Sequence, residues 1–212
     1  MPQLLIATGN PGKAAEFQRL LDGCGWELVT PGDLGVTLAD EEPFDSYSEN
    51  AALKARAGAE ASGLVTLADD SGIEIEALGG EPGPRSARYL GDGAGYDERF
   101  ARILGDMDGL PSYERWAKFR CVIALAAPGA DEPKLFEGEA TGMIGLAPRG
   151  DLGFGYDPIF YLPALARTMA ELPPPVKDII SHRGRAAMRA RVALKTLLYE
   201  RREKDAEPVA RA

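Results

Sequence analysis

Histidine is almost absent from this sequence, and its scarcity restricts the chemistry on offer. His182 is the only one in 212 residues. A Ser-His-Asp arrangement could be built only at Ser181-His182-Arg183-Gly184, where Ser181 has no second histidine to serve it as a base. Serine-hydrolase chemistry is therefore disfavoured. Cysteine is nearly as scarce: Cys24 and Cys121 lie far apart inside apolar patterns, which predicts buried thiols in a reducing compartment rather than a disulfide framework. No run of about 18 apolar residues occurs, and no basic start leads into a short apolar stretch. The chain thus reads as soluble and cytoplasmic, with no membrane partner. Positive charge is also short. A formal net charge of −9 argues against a general nucleic-acid binder, because neutralising many phosphates needs a basic face. The deficit is uneven, with nine Lys/Arg against four Asp/Glu from Arg183 onward, so the preceding part is the more acidic. An acidic body with isolated basic residues in glycine loops suits a small polyphosphate held together with a metal. The basic end reads mainly as a solvated helix face.

What is present is a sizeable core, since 45% of the residues are hydrophobic, enough for one domain or a domain with a lobe. Residues 3–7 read as a first strand and residues 26–29 as a second. Between them Asn10 is a good N-cap and Pro11 a good first residue for a helix running through Phe17, Leu20 and Leu21. Ser46-Tyr47-Ser48-Glu49 predicts a capped helix start, and Gly63 its stop. Residues 65–72 read as a buried strand that delivers two acids to an edge, with Gly72 turning the backbone before Ile73-Glu74-Ile75-Glu76. A short helix over 96–104, a long antiparallel pair over 118–127 and 134–142, a glycine-rich loop over 148–158 and a last helix over 185–203 complete the pattern. The mixture predicts an α/β fold with a mixed sheet and flanking helices, in two lobes around a central cleft. A single domain over 1–203 with a polar tail over 204–212 is expected.

Four stretches could carry chemistry. Thr8-Gly9-Asn10-Pro11-Gly12-Lys13 joins a strand to a helix, where backbone N–H groups, the helix N-terminus and Lys13 can cradle phosphate. It is no Walker A loop, because Ala14 stands where a Ser or Thr would hold magnesium. The metal must be bound elsewhere. Asp69 and Asp70 point to opposite sides of an extended chain, so they cannot share one role. One of them can bind a divalent cation or take a proton from water. Glu41, Glu42 or Asp45 could complete a magnesium site with Asp70, since magnesium wants few carboxylates beside water and phosphate oxygens. The short polar stretch around His182 reads as a surface segment, and its imidazole beside the Arg183 guanidinium suits base recognition.

Six stretches together resemble the inosine triphosphate pyrophosphatase family, also called dITP/XTP pyrophosphatases. They are Thr8-Gly9-Asn10-Pro11-Gly12-Lys13, Glu49-Asn50-Ala51, Ala68-Asp69-Asp70-Ser71-Gly72, Ser86-Ala87-Arg88-Tyr89, Gly153-Phe154-Gly155-Tyr156-Asp157-Pro158 and Ser181-His182-Arg183-Gly184, in the family's order over residues 4–198. The resemblance implies a Mg2+-dependent homodimer that hydrolyses purine triphosphates with deaminated bases (ITP, dITP, XTP) to monophosphate and pyrophosphate. It implies that Thr8, Gly9, Asn10, Pro11, Gly12 and Lys13 grip the triphosphate, that Glu42 and Asp70 hold magnesium, and that Asp70 accepts the proton. Lys54, Ser71, Phe154, Gly155, Tyr156, Asp157, Lys177, His182 and Arg183 would line the nucleotide site, with Phe154 or Tyr156 stacking on the base. The choice of Glu42 over Glu41 rests on spacing back from Glu49 across a variable loop. One departure is Ala166-Arg167, where relatives usually carry Gly-Lys. A related pyrophosphatase for modified pyrimidine or methylated nucleotides, or a nucleotide-binding regulator without turnover, are the competing readings; intact Lys13 and Asp70 argue against the regulator.

Overall fold

The computed structural model describes residues 1–38, 42–91 and 93–206. Seven strands form one sheet: β1 (Gln3–Ile6), β2 (Glu27–Val29), β3 (Val65–Ile75), β4 (Trp116–Ala126), β5 (Lys134–Ile144), β6 (Phe160–Leu162) and β7 (Arg167–Thr168). Their order is β2-β1-β3-β4-β5-β6-β7. β2 and β3 run parallel to β1, and the remaining pairings are antiparallel. The helices are α1 (Pro11–Leu20), α2 (Pro31–Leu34), α3 (Tyr47–Ser62), α4 (Tyr96–Asp106), α5 (Pro174–Ile180) and α6 (His182–Ala206). This is the α/β fold with a mixed sheet that the sequence predicts.

Alternation along the strands sorts side chains between two faces. Leu67, Cys121 and Ile123 join Phe17 of α1, Leu21 just past its end, and Ala186, Ala187, Ala190 and Leu194 of α6 in one cluster. Ala68, Val122 and Ala124 instead meet Tyr47, Ala51, Ala55 and Ala59 of α3 on the other face. Small residues on α3 let it lie close to the sheet. A third cluster gathers Ile73, Ile75, Phe119 and Phe160 with Phe100 and Ile103 of α4. The long strands therefore serve two cores in succession, and the segment 69–72 sits where one gives way to the other. At that junction the polar residues of β3 lie between the two cores.

β3 corrects the sequence reading. It does not end at the acids, and Gly72 does not turn; the strand runs on to Ile75, paired with β4 from Thr66↔Ala126 to Ile75↔Ala117. Asp-Ser-Gly turn chemistry is local, and a ladder of ten residue pairs outweighs it. What ends near the acids is the partnership with β1, whose last pair is Ile6↔Leu67. Beyond it the edge of β3 faces the loop leaving β1, a switch point where ligands of open α/β sheets bind. Further along, the Ile73 N–H donates to Ser86 Oγ at 2.9 Å. Gly72 is glycine because the Gly83 carbonyl occupies the space a Cβ would need.

Local signals at helix ends are legible. Asn10 Oδ1 caps α1, Ser46 Oγ accepts the Glu49 N–H, and Gly63 closes α3 in the left-handed region at φ 68°. The short α2 is held by a reciprocal cap between Thr30 and Asp33. α6 begins at His182, earlier than the predicted 185.

Candidate active site

Asp69 and Asp70 face opposite sides of β3 and acquire opposite partners. Asp69 Oδ2 accepts from Arg183 Nη2 at 3.1 Å and lies 3.1 Å from Lys13 Nζ. Burial works against its charge, but Lys13 and Arg183 prevail and hold it well below the usual carboxylate range. Asp70 points towards α3. Its Oδ2 accepts from Asn50 Nδ2 at 3.0 Å, its Oδ1 from the Ser71 N–H at 2.9 Å, and Lys54 Nζ stands 3.8 Å away. Burial, with the Glu42 charge adding to it and Lys54 opposing, pushes Asp70 up to about 6. Of the two acids, Asp70 is therefore the one whose proton exchanges near neutrality.

Glu42 meets Asp70 through Lys54, which donates to Glu42 Oε1 at 2.6 Å. Burial disfavours the Glu42 charge too, yet Lys54 and then Lys13 keep it below its ordinary pKa. Among the described residues no group of three or more His, Cys, Asp or Glu side chains gathers as an all-protein metal cage. Two carboxylates converging on one cation are a donor set that fits magnesium, which retains water and takes phosphate oxygens. Asp45 is not part of this set; it is exposed and pairs with Arg85 at 2.8 Å. Glu41 lies outside the described residues.

A second ionic group faces the first across the cleft. Glu16, buried on α1, accepts from Arg183 Nη1 at 2.7 Å and from Lys177 Nζ at 2.7 Å. Lys177 also pairs with Asp157, and Asp157 Oδ2 accepts the Phe154 N–H at 2.9 Å. Arg183 Nη2 reaches Ser71 Oγ at 2.8 Å. The ring of Phe154 lies beneath both cations, 5.0 Å from Lys177 Nζ and 5.4 Å from the Arg183 guanidinium carbon. Its close seat on the phosphate loop explains Gly12, where a Cβ would come within 2.6 Å of the ring.

His182 is buried rather than exposed, correcting the sequence reading: as the first residue of α6 it stacks on Phe119 at 4.6 Å. Burial and the neighbouring Arg183 and Lys177 charges drive its pKa well down, so it is a neutral imidazole with Nδ1 lacking a protein partner. Tyr156 is also buried; its hydroxyl donates to the Ser86 carbonyl at 2.9 Å and its ring meets Tyr96 edge-on. Of Phe154 and Tyr156, Phe154 is the less buried, and Tyr96 lines the same cavity.

Lys13, Glu42, Asp70, Ser71, Phe154, Gly155, Tyr156, Asp157, Lys177, His182 and Arg183 share one cavity of about 70 Å³. Thr8, Gly9, Pro11 and Lys54 instead line an adjoining cavity of about 340 Å³, with Asn10 common to both. The Gly12 and Lys13 N–H groups, expected to cradle phosphate, are taken by Asn10 Oδ1 at 2.8 and 3.2 Å. Lys13 and Lys54 are thus the principal positive groups there. Sequence reasoning assigned no role to Glu16, Asn50 or Arg88. Glu16 stands one helical turn beyond Lys13, a spacing that puts both on one face of α1. Asn50 and Arg88 lie inside motifs already singled out.

The Ham1 family model matches residues 4–192. The chain is 46% identical to the dITP/XTP pyrophosphatase of Methylococcus capsulatus over 87% of its length and 92% of that protein. It is 42% identical to the dITP/XTP pyrophosphatase of Bacillus subtilis, covering 88% and 93% respectively. A solved HAM1 protein from Coxiella burnetii superposes with a TM-score of 0.80 at 41% identity, over 94% of this chain and all of that one. With its matching motifs joined in one cleft, this chain belongs to the Ham1 family.

Proposed function

We propose that this chain is a magnesium-dependent nucleoside triphosphate pyrophosphohydrolase for deaminated purine nucleotides, converting ITP, dITP and XTP to the monophosphate and pyrophosphate. The observation that carries the reading is the pairing across one cleft. Glu42, Asp70 and Lys54 form a metal-and-phosphate wall, and Phe154, His182 and Arg183 form a wall suited to a purine.

Asp70 accepts a proton from the water that attacks the α-phosphorus; the bond from that phosphorus to the bridging oxygen breaks and pyrophosphate leaves. Without metal the carboxylate is raised to about 6, so it is ionised at neutral pH and open to a proton or a cation. Glu42 and Asp70 would hold magnesium, which neutralises phosphate charge when bound. Lys13 and Lys54 supply fixed positive charge beside the phosphates.

Base choice falls to Arg183 and His182. Asp69, Glu16 and Ser71 take four of the five N–H donors of Arg183, leaving one on Nη1 among the described contacts. That donor, rigidly aimed, rewards a 6-oxo acceptor and leaves a 6-amino group unpaired. Phe154 stacks on the base and adds affinity with little discrimination. The cavity these walls share is about 70 Å³, and it adjoins the cavity of about 340 Å³ lined by Thr8, Gly9 and Lys54. A homodimer completes the proposal. Exposed Tyr113, Trp116 and Leu146, near a cavity lined by Leu110, Met143 and Tyr161, supply an apolar face for it.

The test is a substrate panel of ITP, XTP, dUTP, GTP and ATP with Mg2+, scoring phosphate and pyrophosphate separately. Preference for ITP and XTP with one pyrophosphate per turnover supports the reading. Release of orthophosphate and nucleoside diphosphate, or preference for dUTP, refutes it.

A further inference from the structure

We propose that Arg88 is the positioning residue that presents Glu42 to the metal, an inference that rests on Glu42 being a magnesium ligand. Arg88 ends the 3-10 turn Gly83–Arg88. Its Nη1 donates to Glu42 Oε2 at 3.1 Å and its Nη2 to the Glu42 backbone carbonyl. One guanidinium therefore fixes both the side chain and the main chain of the same loop residue. The planar fork meets the two acceptors with separate nitrogens, whereas a lysine presents its donors from one point charge.

The turn carrying Arg88 is itself tied to β3. Ser86 Oγ accepts the Ile73 N–H at 2.9 Å and donates to the Gly83 carbonyl at 2.6 Å. The Gly83 carbonyl presses against Gly72, and the Ser86 carbonyl accepts from the Tyr156 hydroxyl at 2.9 Å. Strand β3 consequently carries Asp70 directly and holds Glu42 at a distance through Arg88. The two carboxylates are referenced to one rigid element although they come from segments far apart in sequence.

Arg85 holds Asp45 further along the Glu42 loop, and two more anchors, Lys54 and Asn50, both touch Asp70. Lys54 pairs with Glu42 and stands 3.8 Å from Asp70. Asn50 brackets Phe44, donating to its carbonyl at 2.9 Å and accepting its N–H at 3.0 Å, while also donating to Asp70. Replacing either perturbs the proton acceptor. Arg88 has no contact with Asp70 among the described hydrogen bonds and ion pairs, so its substitution isolates the placement of Glu42.

The experiment is an EPR titration with Mn2+ of protein saturated with the non-hydrolysable α,β-imido analogue of ITP, for wild type, Arg88→Ala, Arg88→Lys and Glu42→Gln. Partners that orient a metal ligand are worth on the order of 10–100-fold in metal affinity. Arg88→Ala and Arg88→Lys should both weaken Mn2+ binding by about that factor. In turnover assays, the Mg2+ concentration for half-maximal rate should rise by more than kcat falls. Unchanged or tighter Mn2+ binding by Arg88→Ala overturns the proposal, as does full rescue by Arg88→Lys, which would make charge rather than the fork the operative feature. Wild-type Mn2+ binding by Glu42→Gln would instead remove Glu42 as a ligand, a separate failure of the underlying reading.

Discussion

Asp69 and Asp70 are adjacent in sequence, yet the first is locked between Lys13 and Arg183 while the second faces Asn50, Lys54 and the Glu42 side. The pleat alone separates them, and their protonation follows: Asp69 is held far below the carboxylate range and Asp70 raised to about 6.

Isosteric substitution should divide these roles. Asp70→Asn removes the proton acceptor and is expected to lower kcat by at least about 10²-fold. Asp69→Asn removes one of the two buried counter-charges of Arg183, leaving Glu16, and takes from Lys13 its carboxylate partner; it should cost up to about 3 kcal/mol in stability. Thermal melts and turnover measured on both variants check the division. The melting temperature should fall further for Asp69→Asn.

Activity should depend on the ionised form of Asp70. At limiting Mg2+, kcat/KM should fall as pH drops through about 6, and saturating Mg2+ should move that shoulder to lower pH. The stability contributions carry opposite signs. Asp70, raised above its unfolded value, stabilises the fold below about pH 4, and that contribution disappears as pH rises through about 6. Asp69 and Glu16, both depressed, stabilise the fold above the usual carboxylate range, a contribution lost as pH falls through their lower native values. A pH-rate profile at two metal concentrations, with denaturant midpoints across the same range, separates them.

Ala166 adopts φ 51°, a left-handed conformation that suits glycine. The departure noted in the sequence is thus a backbone cost, with alanine standing where the family resemblance leads one to expect glycine. Ala166→Gly should stabilise the protein by about 1 kcal/mol, or roughly 2–4 °C in melting temperature for a chain of this size. A melting temperature unchanged or lowered would show that the strain is relieved elsewhere.

Gly12→Ala should push the Phe154 ring from its seat, because the new Cβ would lie 2.6 Å from it. KM for ITP is expected to rise with little loss of stability, since the ring borders an open cleft. Steady-state kinetics beside a melting curve distinguish this from general damage.

Much of the fold was legible because its signals are local. The Asn10 cap with Pro11, the Ser46 start and Gly63 stop of α3, and the alternation of β4 each depend on a few neighbouring residues. The misreadings share a non-local cause. Asp-Ser-Gly reads as a turn until β4 pairs along it, and His182 reads as exposed until Phe119 stacks on it. Glu16 gave only the helical spacing from Lys13; its partners Lys177 and Arg183 come from the other end of the chain. Glu42 and Asp70 could be nominated from sequence, but Lys54 and Arg88, which hold Glu42 in place, are fixed by tertiary packing.

The central claim is that water attacks the α-phosphorus with Asp70 as proton acceptor. Turnover of ITP in H2¹⁸O with Mg2+, with products analysed by mass spectrometry, tests it directly. The account predicts ¹⁸O in the phosphate of IMP and unlabelled pyrophosphate, with the labelled product nearly absent for Asp70→Asn. Label in pyrophosphate or orthophosphate would place the attack at another phosphorus and contradict it.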